Sequence, residues 1–243
     1  MVAFGALRRS DARRQRAAVE AVQRTTITAA ESARGVTRLA VVPEQGNRQV
    51  TPPAELRRRV ANLENGTYIA DVLSEQDSVL YRWPDRLSNA VRVWVQPTSD
   101  VPNWKPEYPE VARTVFEEWS QAGFPLTFTF IFDSTSADIA IRWIDRFPAE
   151  SGQRIGETER TQTPTSLISS ARVAAALHDS TGRVLSPTAV AGILRHEVGH
   201  ALGLNHSNDK SSVMYRESAT SVIGASDRAT LRLIYLVPAG SLR

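Results

Sequence analysis

The chain has 243 residues, 42 % hydrophobic and 23 % charged, enough apolar material for a sizeable core without covalent staples. It has no cysteine, which excludes disulfides, thiol nucleophiles and thiolate metal sites. The net charge of +3 is uneven: residues 1–60 hold 12 Arg and no Lys against 5 acidic groups, a net of +7, and the remainder holds 17 basic against 21 acidic, a net of −4.

The basic N-terminal arm has neither interleaved aromatics nor a groove-reading motif, so no nucleic-acid partner is expected. Met1–Leu7 followed by Arg8, Arg9, Arg13, Arg14 and Arg16 reads either as the polar end of a membrane-inserted segment or as a basic tail. Membrane contact by this arm therefore stays open. No apolar run reaches the length of roughly 20 residues that crosses a bilayer. Residues 11–24 allow a short, weakly apolar helix. Residues 25–60 are polar and punctuated by Pro43, Gly46, Pro52 and Pro53, and read as linker. These features divide the chain into an arm, 1–78, and a folded body, 79–243.

Within the body, Ala90, Val91, Val93 and Val95 mark a strand with Trp94 on its second face. Residues 108–122 switch to helical spacing through Val111, Val115, Phe116 and Trp119, with Gly123 as the stop. Leu126–Phe132 and Asp138–Trp143 alternate as strands. An irregular stretch is expected from Asp145 to Thr165, then an apolar strand from Ile168 to Leu177. Ser186-Pro187 predicts a capped helix start, with Val190, Ile193, Leu194, Val198 and Ala201 inward and Gly203 as terminator. A last helix starts at Ser226-Asp227 and ends before Pro238. This order is an α+β pattern around a mixed, twisted sheet. The five tryptophans read as core packing, and His178 as a surface or strand-end residue.

Three of the four histidines fall in residues 196–206, His-Glu-Val-Gly-His-Ala-Leu-Gly-Leu-Asn-His. His196 and His200 are four apart on one helical face, a spacing that lets both rings reach one zinc at about 2.0–2.1 Å. Gly203 permits the backbone turn that returns His206 as a third nitrogen ligand, leaving a fourth zinc position for water. Glu197, beside the first ligand, is placed to act as general base on that water.

His-Glu-x-x-His-x-x-Gly-x-x-His is the signature of the metzincin clan of zinc endopeptidases, and His196, Glu197, His200, Gly203 and His206 match it. Ser207 and Ser212-Val-Met-Tyr215 make the chain resemble the matrixins most. Trp119, Leu126–Thr129, Ala137–Trp143, Ile155-Gly-Glu-Thr158 and Ile168–Val173 resemble matrixin segments upstream of the motif, over about residues 79–237. The resemblance implies a metzincin-like zincin fold with an active-site helix and a C-terminal helical subdomain. It also implies one catalytic zinc, and a zinc-dependent metalloendopeptidase that cleaves internal bonds of protein or peptide substrates outside the cytoplasm, as a monomer. Met214 would form an apolar floor beneath the metal, and Tyr215 and Arg216 would border the specificity pocket, whose wall runs on to Ala225. Arg216 departs from the proline usual in matrixins. A propeptide cysteine switch has no cysteine here, and His178-Asp179 alone does not build the second zinc site of many relatives. Calcium is not excluded, but no loop has the dense oxygen-ligand spacing that would argue for it. A competing reading is a non-catalytic zinc-stabilised binding module with residues 25–78 lying across the cleft.

Overall fold

The computed structural model describes residues 51–217 and 221–243, together with the backbone of two short strands at 24–25 and 37–41. In chain order the elements are β1 (Arg24–Thr25), β2 (Thr37–Val41), α1 (Pro53–Leu63), α2 (Ile69–Glu75), β3 (Val79–Leu80), β4 (Arg86–Val95) and α3 (Tyr108–Ser120). They continue with β5 (Leu126–Phe130), β6 (Ile139–Ile144), β7 (Gly156–Gln162), β8 (Ile168–Ala176), α4 (Pro187–Ala201), α5 (Ala225–Leu236) and β9 (Gly240–Ser241).

Seven strands form one mixed sheet in the order β1-β2-β7-β8-β6-β4-β5. The pairs β4/β5, β4/β6 and β6/β8 are parallel, and β7 runs antiparallel to β8. Val91, Val93, Val95, Ile139, Ile141, Ala171 and Val173 point from the central strands into the core. Helices α3 and α4 cover that face, with α4 lying across β7 and β8. Side chains such as Trp83, Trp119, Phe116 and Leu194 are fully buried here, each stabilising the fold by about 1.5–3 kcal/mol through removal from water.

Local chemistry explains the helix ends. Ser186 Oγ accepts from Ala189 N at 3.2 Å and Pro187 takes the first helical position of α4. Two indoles then pin α4 to its surroundings: Trp119 Nε1 donates to Arg195 O (3.0 Å) and Trp83 Nε1 to Ala201 O (2.8 Å). Gly203 has φ +115°, and a Cβ there would lie 2.6 Å from the Tyr81 carbonyl oxygen, so both backbone and space require glycine.

The observed α+β mixed sheet, with helix α4 carrying the histidine motif and α5 near the C-terminus, agrees with the expected fold class. Several boundaries differ. The packed body begins upstream of Val79: Leu56 and Val60 of α1 and Ile69 and Val72 of α2 are buried in the main core. The stretch read as linker contains β2 and most of α1, with β2 paired in parallel to β7 from Thr37↔Thr158 to Val41↔Gln162. The expected irregular stretch from Asp145 to Thr165 contains strand β7. His178 is 6 % exposed, with Nε2 3.0 Å from Asn103 Oδ1 and Nδ1 2.7 Å from Asp145 Oδ1, so it is a buried bridging residue. The helix expected at 11–24 lies outside the described residues except for Arg24, which is in β1.

Candidate metal centre

Helix α4 carries His196 and His200 on one face, and the chain reversal after Gly203 brings His206 against them. The ring centroids are 4.7 Å apart for His196/His200 and His200/His206, and 5.4 Å for His196/His206. All three rings are buried, and one nitrogen from each lies within 4.8 Å of the others. Each Nδ1 faces an oxygen: Val213 O at 2.8 Å for His196, Leu204 O at 3.0 Å for His200, and Glu75 Oε1 at 2.8 Å for His206. Those acceptors assign the proton to Nδ1 in each ring and leave the Nε2 lone pairs to converge.

That arrangement fits a metal ion. Nε2 of His196 and Nε2 of His200 are 3.1 Å apart, close to the edge of about 3.3 Å that a tetrahedral ion with bonds of about 2.05 Å would impose. Two neutral lone pairs at that separation repel unless a cation lies between them. Burial and the neighbouring imidazoles push the His200 pKa well below its ordinary value, which favours the neutral, ligating form. Three nitrogen donors and no thiolate suit zinc.

Glu197 is 1 % exposed. Its carboxyl is bracketed by β7: Thr158 Oγ1 donates to Oε2 at 2.7 Å and contacts the Glu197 carbonyl oxygen at 2.9 Å. A Cβ on Gly156 would come within 2.3 Å of Oε1. Burial raises the Glu197 pKa to about 8 against the lowering effect of the Thr158 hydrogen bond.

Met214 is fully buried against α4, where a Cβ on Gly199 would come within 2.4 Å of its Sδ. The turn containing it is held by Asp227 of α5, whose carboxylate accepts from Ser212 Oγ, from Val213 N at 3.2 Å and from Gly224 N at 2.7 Å. Since Val213 O accepts a hydrogen bond from His196 Nδ1, this turn connects α5 to the first histidine. Tyr215 is half-buried and bridges to Ser207. The Arg216 guanidinium is paired with Glu75. Residues 218–220 of the expected pocket wall lie outside the described residues.

Sequence reading therefore located His196, Glu197, His200, His206 and Met214 as one cluster, and the structure brings them together. It missed Glu75, Thr158, Gly156 and Asp227. Asp227 had a local signal as the start of α5. Glu75 had none, being 131 residues from its partner.

The Matrixin family model matches residues 90–235. Over 43 residues the chain is 51 % identical to a protein of Trichoplusia ni ascovirus 2c entitled "Putative matrix metalloproteinase". That alignment takes in 18 % of this chain, and the chain spans 9 % of the viral protein. Among solved structures, the "GM1 bound form of the ECX AB5 holotoxin" aligns with 69 % of this chain and 87 % of its own, at 15 % identity and a TM-score of 0.45.

Proposed function

Taking as premise that the chain belongs to the matrixin family, we propose that it is a zinc-dependent endopeptidase in which His196, His200 and His206 hold the metal and Glu197 is the general base. The observation that carries this reading is the convergence of three Nδ1-anchored histidines beside a buried carboxylate. Zinc held there would lower the pKa of a bound water toward 7 and polarise the carbonyl of a peptide bond.

The remaining work falls to the chain's own groups. Thr158 holds one oxygen of Glu197, and the missing side chain at 156 makes room for the other. A zinc cation beside the carboxyl would offset the burial that favours its neutral form, and that second oxygen would then take the proton of the attacking water and deliver it to the leaving amine. The Val213, Leu204 and Glu75 oxygens keep the imidazoles oriented during the reaction. An extended peptide would be gripped by main-chain hydrogen bonds along β7. The ability of β7 to accept a further strand supports this, because Thr37–Val41 is paired with it.

The test is cleavage of a proteome-derived peptide library by purified protein, with and without a zinc chelator, beside Glu197→Ala. Cleavage at internal bonds should vanish with chelator and return with added zinc. The variant should be slower by about 10²–10⁴-fold while keeping its zinc. Equal cleavage in all samples would overturn the assignment.

A further inference from the structure

Helix α2 lies upstream of the residues that match the family, yet its polar side grips the loop that carries the third histidine. Asp71 accepts from Asn208 N (2.9 Å) and Asn208 Nδ2 (2.7 Å). The Gln76 side-chain amide, one residue past the helix, meets Asn205 Oδ1 at 2.8 Å. Between them, Glu75 accepts from His206 N at 3.0 Å and faces His206 Nδ1 with both carboxylate oxygens, at 2.8 and 3.1 Å. From the other side Arg216 pairs with the same carboxylate.

The three histidines are thus held unequally. His196 and His200 rest on backbone carbonyls of their own neighbourhood. His206 rests on a charged side chain delivered by a distant helix. A carboxylate is the stronger acceptor: it fixes the Nδ1–H tautomer, aims the ring and makes the opposite nitrogen a better donor to a cation. Arg216 occupies the place of the usual matrixin proline and has a partner here. Its guanidinium balances the Glu75 charge and holds the segment after the methionine turn against α2.

We propose that Glu75 is a positioning residue of the metal centre, acting through His206 and secured by Arg216, so that α2 is part of the zinc site. The proposal rests on the assignment of the three histidines as zinc ligands.

The test measures zinc dissociation constants by chelator competition, and visible absorption after cobalt substitution, for the full chain and for Glu75→Ala, Glu75→Gln, Arg216→Gln and Asp71→Ala. Circular dichroism checks that each is folded. Glu75→Ala should bind zinc about 10–100-fold more weakly. Glu75→Gln, which keeps an acceptor oxygen without the charge, should fall between it and the native protein, and both should alter the cobalt spectrum. Asp71→Ala, which loosens the same loop without touching a histidine, should cost thermal stability and leave zinc affinity within about twofold of native. If Glu75→Ala does not fold, Glu75→Gln and Arg216→Gln decide, and native-like affinity and spectrum in both would overturn the proposal. So would native affinity in a folded Glu75→Ala, or an equal loss in Asp71→Ala. A native protein that binds no zinc overturns the ligand assignment itself. Native zinc binding with unchanged Glu75 variants overturns this inference alone.

Discussion

The carboxyl of Glu197 has little room to move, because β7 closes on it from two positions and almost none of it is exposed. A methyl group added at Gly156 would have to displace that carboxyl. Gly156→Ala should therefore lower kcat by about tenfold or more with zinc content unchanged; unchanged kcat would mean the carboxyl has another resting place. Gly203→Ala should act differently. Its obstacle is the Tyr81 carbonyl, which is backbone, and its φ disfavours any Cβ. We expect a stability loss above about 1 kcal/mol, read as a lower Tm. A third residue bears on acid stability. Burial raises the Asp138 pKa, but hydrogen bonds from Arg92 and the charges of Arg86 and Arg92 outweigh it and leave the carboxyl below its ordinary value. A depressed folded pKa contributes stability that is present above the unfolded value of about 3.9 and is lost as pH falls through the folded one. Asp138→Asn should thus be less stable than native at pH 7, and the gap should narrow below about pH 4 in denaturant titrations.

Among the elements, α5 and the methionine turn depend on one buried carboxylate. Asp227→Ala leaves the buried Val213 amide without its acceptor, at about 1–3 kcal/mol, and also strips the part-buried Gly224 amide of its partner. The expected result is a large fall in Tm accompanied by weaker zinc binding, since Val213 orients His196. Helix α1 offers a complementary case. Leu56 is fully buried, so Leu56→Ala should cost about 2–5 kcal/mol, whereas an arm outside the core would tolerate it. Helices α3 and α4 were readable in advance because their inward residues follow a 3.6 period and end in recognisable caps or glycines. Strand β7 was not. Its inward residues are Gly156, Thr158, Arg160 and Gln162, so the buried face contains no apolar side chain and no alternation of hydrophobicity signals a strand. Helices α1 and α2 each bury only two residues along their length, and in α1 these are separated by the run Arg57-Arg58-Arg59. The histidine motif was legible because its spacing is local. The residues that hold it in place come from α2, β7 and α5, and such contacts depend on the tertiary fold.

At the scale of the whole molecule, the chain puts one of its own strands along the edge proposed above for a bound peptide. Thr37–Val41 follows β7 over five paired positions. If substrate adds to that same edge, the two compete, and the strand has the advantage of belonging to the same chain. Its signature would be kinetic. Deleting residues 1–50, which keeps α1 and α2, should lower KM for peptides and leave kcat nearly unchanged, as removal of a competitive inhibitor does. An unchanged KM would place the substrate elsewhere. On that reading the β2–β7 pairing would set a concentration scale: dilute substrate would wait for the edge to open, abundant substrate would take it, and the response would follow from how firmly five residues of backbone are held.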